Sequence, residues 1–179
     1  AEAGPHRLLY GGPRDLVTGL QVALPSGELL RFGGSCVKNV AGYAVERLFV
    51  GSHGTLGAIV EATLRTLPRP QAVRPLSVGV DRPSEAESFL TELTASPLRP
   101  AAVELLSPAT VDSVGLHAGP WVLLVGLEGF AADVQQMQVC LQRMAADHGL
   151  PDPSVLDCDC HVLWRAVTDL HSGPSAPML

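Results

Sequence analysis

The sequence has few aromatic side chains, few charges and few cysteines, and it contains no long uninterrupted apolar run. Aromatic residues make up 4% of the 179 residues and charged residues 17%. Without about 20 consecutive apolar residues, there is no candidate for a membrane-spanning helix. The 12 Lys and Arg are outnumbered by 18 Asp and Glu, and the net charge of -6 argues against nucleic acid as a partner.

The four cysteines do not form a disulfide framework. Cys36 and Cys140 are isolated, whereas only one residue separates Cys158 from Cys160. This usage favours a reducing compartment, so the sequence predicts a cytoplasmic protein. At residues 1–5 there is no initiator Met, basic region or apolar signal core, so we expect the chain to be part of a longer protein.

Hydrophobic residues make up 46% of the chain, enough to bury a core. The first part has the pattern of strands and turns. Apolar residues 15–24 and 28–32 flank Pro25-Ser26-Gly27, which predicts a hairpin. A short helix is predicted over 44–48 and a strand over 58–67.

Residues 68–71, Pro-Arg-Pro-Gln, predict a linker, after which the pattern restarts. Ser84 is the expected N-cap of a helix over 85–94, with Glu87 completing a capping box. The second part reads β-α-β-β-α-β, which predicts a ferredoxin-like sandwich. Its strands are expected at 76–80, 103–106, 121–127 and 155–157, and its other helices at 133–148 and 161–170.

The segment from Gly51 to Gly57 has three glycines at intervals of three. Glycine lets a backbone approach a ligand closely, and free N–H groups in such a loop can point at a pyrophosphate or a flavin edge. The spacing alone is equally consistent with an ordinary turn. It is no P-loop, because no Gly-Lys-Ser/Thr follows, and no Rossmann fingerprint, because a predicted strand follows rather than a helix.

The neighbouring residues form a compound motif with this loop. KNVAGY at 38–43 precedes it, LFV at 48–50 leads into it, and GGPRDLV at 11–17 and Gly33-Gly34 lie upstream. Residues 5–68 resemble the vanillyl-alcohol-oxidase/para-cresol-methylhydroxylase (VAO/PCMH) type of FAD-binding family. Within that family the resemblance is strongest to the FAD-binding subunits of bacterial glycolate oxidases.

The resemblance implies an α+β chain. Residues 1–70 would be the C-terminal part of a VAO/PCMH-type FAD-binding domain, its second subdomain. Residues 75–171 would be part of a ferredoxin-like cap domain. Independently of the resemblance, the Pro- and Ser-rich composition of 172–179 predicts a flexible tail. The resemblance places FAD against Asp15, Val17, Asn39, Gly42, Tyr43, Gly51, Gly54, Thr55 and Gly57, and against Ile59 or Val60 through the backbone.

The function implied is that of an FAD-linked oxidoreductase subunit in a glycolate or 2-hydroxy acid oxidase complex. Its expected partners are a larger flavin subunit, an iron-sulfur subunit and a small hydroxy acid. The expected location is cytoplasmic, or peripheral to the inner membrane through partners. No residue stands out as the catalytic base. Two alternatives stay open: a non-catalytic scaffold with a degraded flavoprotein fold, and a sugar or cell-wall-precursor oxidoreductase.

The chain departs from the family pattern in places. Ala44 stands where Asp is usual after Gly-Tyr, and His53 where Leu or Glu is usual. The pyrophosphate-binding subdomain of the family would lie upstream of residue 1. His53 could face the cofactor or a surface turn, and Lys38 could neutralise a phosphate or a substrate carboxylate but is expected to be a surface lysine.

Other motifs have simpler explanations. Residues 157–161, Asp-Cys-Asp-Cys-His, suggest zinc, but no second Cys/His pair follows, and we predict a half-buried strand end without metal. The spacing of Met137, Leu141 and Met144 predicts core positions on a helix. The remaining scattered histidines are expected to face solvent: His6, His117, His148 and His171.

Overall fold

The computed structural model describes residues 4–35, 43–116 and 118–169. They form two compact units, each with its own sheet. The first unit contains residues 11–69, and the second contains residues 4–10 together with those from 70 onward. This mixture of helices and sheets confirms the expected combination of both element types.

The helices are α1 (Arg7–Tyr10), α2 (Pro13–Leu16), α3 (Glu46–Phe49), α4 (Pro83–Ala95), α5 (Pro108–Val114), α6 (Ala131–Asp147) and α7 (Cys160–Asp169). The strands are β1 (Val17–Ala23), β2 (Leu29–Gly33), β3 (Ala58–Leu64), β4 (Ala72–Val80), β5 (Ala102–Leu106), β6 (Trp121–Gly129) and β7 (Ser154–Val155).

The sheet of the first unit has the order β2-β1-β3, with both pairings antiparallel. The predicted hairpin is confirmed, but its first strand begins at Val17 rather than Asp15. Pro13 takes the first helical position, and the Asp15 carboxylate accepts the Gly12 N–H at 2.9 Å, so a helical turn precedes the strand. Phe49 from α3 packs in the small core of this unit.

The sheet of the second unit has the order β5-β6-β4-β7 and is antiparallel throughout. Alternate residues of β6 point to opposite faces. Leu123 and Val125 pack in the core with residues of α4 and α6, whereas Val122 and Leu124 pack in the core with residues of α5 and α7. Because both faces are covered, β6 has no polar side chain from Trp121 to Leu127, and its one charged residue, Glu128, lies at its end.

Helix α4 begins before its predicted start. Pro83 occupies the first turn, and the Glu85 carboxylate accepts the backbone N–H groups of Asp81 and Arg82. The predicted cap by Ser84 and Glu87 is therefore wrong, because a proline at the first helical position moves the start two residues upstream.

The segment 157–161 is also not a strand end. Cys160 begins α7, and the Asp159 carboxylate accepts the N–H of His161 at 2.8 Å and that of Val162 at 3.3 Å. An acidic N-cap explains this segment without a metal. Among the described residues, no helix is long and apolar enough to cross a membrane.

Candidate functional site

The glycine loop connects α3 to β3 and is a tight turn. Gly51, His53 and Gly54 have positive φ angles of 85°, 51° and 79°. The Ser52 carbonyl accepts hydrogen bonds from the Thr55 N–H at 3.0 Å and from the Thr55 hydroxyl at 2.7 Å. These bonds fix the loop in a conformation that glycine adopts at little steric cost.

Gly51 and Gly54 border open space. A Cβ atom built at either position meets no heavy atom within 4 Å. Positive φ therefore accounts for a glycine at each position, and the same geometry leaves the backbone accessible to a ligand from outside. Such an accessible backbone could approach the edge of a planar cofactor, whereas a side chain would keep the ligand away.

Gly57 has a different role. A Cβ there would lie 2.6 Å from Val22 Cγ1 and 3.0 Å from the Ala23 carbonyl oxygen. The residue is buried, and its φ is 149°. Its missing side chain allows β3 to begin close against β1, a packing requirement that exists without any ligand.

Strand β3 contains a β-bulge immediately after the loop. Gln21 pairs with Glu61 and the next residue, Val22, pairs with Ile59, so Val60 is extra in the ladder. A bulge leaves one residue unpaired and turns its side chain from the regular direction. Ile59 and Val60 are 44% and 56% exposed. Exposed apolar residues and an irregular backbone therefore follow the open glycines closely along the chain.

The other residues predicted to contact FAD differ in exposure and in their distance from the glycine loop. Tyr43 is 96% exposed, whereas the Val17 side chain is 6% exposed and belongs to the core. Val17 pairs with Leu64, at the end of β3 far from the glycine loop, about 20 Å along the strand. Asp15 caps α2 through its carboxylate. The remaining predicted contacts, Asn39 and Gly42, lie outside the described residues, as does Lys38.

The arrangement fits a planar apolar group better than a charged one. Leu56, Ile59 and Val60, which follow the open glycines along the chain, have exposed apolar side chains. This suits the ring edge of a flavin, whereas the pyrophosphate of FAD needs a cluster of N–H or cationic donors. In the described parts of the chain, no group of three or more His, Cys, Asp or Glu could hold a metal ion.

The second unit contains a cleft of about 350 Å³ at the ends of α4 and α6. Two of its polar side chains are engaged within the fold: Glu85 pairs with Arg82 at 3.0 Å, and His148 lies 2.7 Å from the Glu92 carboxylate. The prediction that His148 faces solvent is wrong, since Phe89 also contacts its ring. We place no binding site there.

Comparison with solved structures defines the class of fold. Alkyldihydroxyacetonephosphate synthase superposes with a TM-score of 0.72 at 20% identity, over 93% of this chain and 34% of that one. p-Cresol methylhydroxylase with substrate bound gives 0.65 at 15% identity, over 94% and 39%. The likeness at these identities is one of fold, and no family model matches the chain.

Sequence comparison with curated relatives narrows the class of protein further than the fold does. Glycolate oxidase subunit GlcD of Bacillus subtilis is 39% identical over 108 residues, and subunit GlcE of Escherichia coli is 40% identical over 101. D-lactate dehydrogenase of Anaerostipes hadrus is 32% identical over 126. The matches cover 60%, 56% and 70% of this chain but only 23%, 28% and 26% of those proteins. The resemblance to the VAO/PCMH-type FAD-binding family, and to its glycolate oxidase subunits, is confirmed over that part of their length.

One feature of the site could not be found in the sequence. The bulge at Val60 lies in the run Ala58-Ile59-Val60-Glu61, which contains no glycine or proline. The bulge is defined only by the pairing of β3 with β1, which joins residues about forty positions apart.

Proposed function

We propose that this chain is part of an FAD-dependent oxidoreductase subunit that acts on 2-hydroxy acids, with a glycolate oxidase complex as the most specific assignment. The observation that carries this is the open glycine loop leading into the bulged, apolar start of β3, in a chain related to glycolate oxidase subunits. Other relatives are named for D-lactate and D-2-hydroxyglutarate, and all three substrates are 2-hydroxy acids.

In this proposal residues 1–70 form the second subdomain of the FAD-binding domain and residues 75–171 a ferredoxin-like cap. The order β5-β6-β4-β7 supports the cap, because a split βαβ sandwich interleaves its strands in this way. Helices α5 and α7 add a second layer beyond the simplest form of that fold.

Bound FAD would supply the acceptor for a hydride, and the chain would orient it. Gly51 and Gly54 would lie against the flavin through their backbones, Thr55 would hold the turn, and Ile59 or Val60 would reach the cofactor through the backbone. The other contacts proposed are Asp15, Val17, Asn39, Gly42, Tyr43 and Gly57.

We assign no catalytic base to this chain. This suits an accessory flavin subunit that passes electrons to a larger flavin subunit and an iron-sulfur subunit. Such an assembly would be cytoplasmic, or peripheral to the inner membrane through those partners. The hydroxy acid would then bind where the partners complete the site.

The test is Gly54→Val in the protein that contains this chain, purified with its cofactor. A Val side chain at Gly54 would occupy the space assigned to the flavin, so we expect the yellow colour to disappear while the fold persists. Gly27→Val is the matched control, because Gly27 also has a positive φ of 84° and no heavy atom within 4 Å but lies in the β1–β2 turn.

Flavin absorbance per protein and circular dichroism measure the two outcomes separately. Stoichiometric FAD in Gly54→Val would place the site elsewhere. A colourless unsubstituted protein would favour the scaffold alternative instead.

A further inference from the structure

A carboxylate in the second unit holds the segment Gly4–Tyr10. Glu128, at the end of β6, has a side chain only 10% exposed. Its Oε1 lies 2.9 Å from His6 Nε2, where an N–H donates, and its Oε2 accepts the Tyr10 hydroxyl at 2.5 Å. The prediction that His6 faces solvent is therefore wrong, because its ring is engaged by a residue 122 positions away.

The segment has few other contacts: Gly4 lies against Thr168 of α7, and α1 lies beside β5. Helix α1 has four residues, and none of them is buried. Its leucines point outward, with Leu8 58% and Leu9 39% exposed. A single helical turn is not stable alone, and apolar burial does not compensate here. The polar contacts of His6 and Tyr10 are therefore the main candidates for what fixes the segment.

Trp164 of α7 completes the cluster. The His6 ring meets it edge-on, with centroids 5.2 Å apart and an interplanar angle of 77°. The Trp164 indole N–H is buried and has no hydrogen-bond partner among the described residues. The contact with the His6 ring leaves this donor unpaired, and among the described residues the side-chain hydrogen bonds from the segment to the rest of the unit are those with Glu128.

We propose that Glu128 is a latch that fastens the segment Gly4–Tyr10 to the rest of the second unit, and that removing its negative charge releases the segment. One carboxylate oxygen of Glu128 bonds to His6 and the other bonds to Tyr10. Neutralising the carboxylate therefore weakens both hydrogen bonds together.

The titration of the cluster sets the direction of the pH effect. The hydrogen bond from His6 is the main cause that lowers the pKa of Glu128, and the hydrogen bond from Tyr10 lowers it further. Burial of the carboxylate acts in the opposite direction. His161 and Cys160 of α7 also interact electrostatically with this carboxylate. Because the docked pKa is depressed, docking is fully stabilised above the ordinary value of 4.5 and is lost as pH falls below it. Burial and Glu128 raise the pKa of Tyr10 to about 12, so Tyr10 remains a donor at neutral pH.

Hydrogen exchange of the segment amides tests the latch in the full 179-residue chain. The Arg7 and Tyr10 N–H groups are bonded to the Gly4 and His6 carbonyls at 3.0 Å, so they exchange faster when the segment leaves. We expect Glu128→Gln to lower their protection factors about tenfold or more, as loss of a hydrogen bond to a charged group implies. Protection in the unsubstituted chain should fall in the same way between pH 5 and about 3.

Glu87→Gln on the exposed side of α4 is the matched control and should leave these amides unchanged. Unchanged protection of Arg7 and Tyr10 in Glu128→Gln would overturn the proposal. If that variant accelerates exchange throughout β4 and β6, Tyr10→Phe decides, because it removes one bond and leaves the carboxylate in place. Unchanged segment protection in Tyr10→Phe would then overturn it.

Discussion

Single residues of the glycine loop have separable roles. The backbone angles of Gly51 require a flexible residue but leave free space around it, whereas Gly57 has neither a suitable φ nor room for a Cβ. A ligand-binding glycine and a packing glycine look identical in a sequence. They differ in what a methyl group at each position would contact.

Substituting alanine separates the two roles without any cofactor. We expect Gly57→Ala to lower the free energy of unfolding of the first unit by about 3 kcal/mol, since it adds a clash with Val22 to backbone strain. Gly51→Ala, which adds only strain, should cost about 1 kcal/mol. Urea unfolding measures the loss of stability in both variants. Equal losses would show that the Val22 side chain moves aside at no cost.

At the scale of elements, helix α6 stabilises the second unit through one face. Leu141 is 1% exposed, and it shares a core with Phe89 of α4 and Leu123 of β6. The core positions predicted from helical spacing are confirmed, since Met144 is buried and Met137 packs against the same cluster.

Truncation of this face should be costly. We expect Leu141→Ala to destabilise the chain by about 2–5 kcal/mol, because it removes buried methyl groups and leaves a cavity. Val162→Ala on α7, where the side chain is 66% exposed, should change stability by less than about 0.5 kcal/mol. Thermal or urea unfolding compares them, and similar midpoints for the two variants would contradict the core assignment.

The elements that the sequence alone predicted are those with a long stretch of regular hydrophobic spacing or a strong turn sequence. Helix α6 and strand β6 fall within a few residues of expectation, and the β1–β2 hairpin follows from Pro25-Ser26-Gly27. Helix α5 was not predicted, because it is short and buries only Val111. At the site, the sequence predicted the loop but neither the bulge at Val60 nor the packing role of Gly57, which both depend on the pairing with β1.

At the scale of the whole molecule, the described part of the first unit exposes eight large apolar side chains. Its exposed large apolar residues are Leu29, Tyr43, Leu48, Leu56, Ile59, Val60, Leu64 and Leu67. Six of the seven residues of β3 are exposed, and the strand lies at a sheet edge. Unpaired edges with apolar side chains favour association.

We therefore expect the isolated 179-residue chain to self-associate. Sedimentation velocity should show a concentration-dependent average mass, and Val60→Lys should reduce it because a charge on the edge opposes pairing. Val162→Lys serves as the control, because Val162 in the second unit is 66% exposed and Val60 is 56% exposed. A chain that stays monomeric at high concentration would show that this surface does not drive self-association.

The isolated chain should also bind FAD weakly or not at all and have no oxidase activity. If contacts to the pyrophosphate come from elsewhere in the protein, each missing charge-assisted hydrogen bond removes about 1.5–3 kcal/mol, and every 1.4 kcal/mol is tenfold in affinity. Flavin fluorescence during a titration measures this. Saturable submicromolar binding would mean that the glycine loop supplies most of the affinity by itself.

The latch at Glu128 also bears on the order in which the chain can fold. His6 and Tyr10 are synthesised 122 and 118 residues before their shared partner, with the whole of the first unit between them. Closing so long a loop is slow, whereas the β1–β2 hairpin needs only neighbours along the chain. During translation the first unit can therefore assemble while His6 and Tyr10 have no partner. Glu128 becomes available only once β6 has been synthesised, and the second unit also needs α6, β7 and α7, which follow β6.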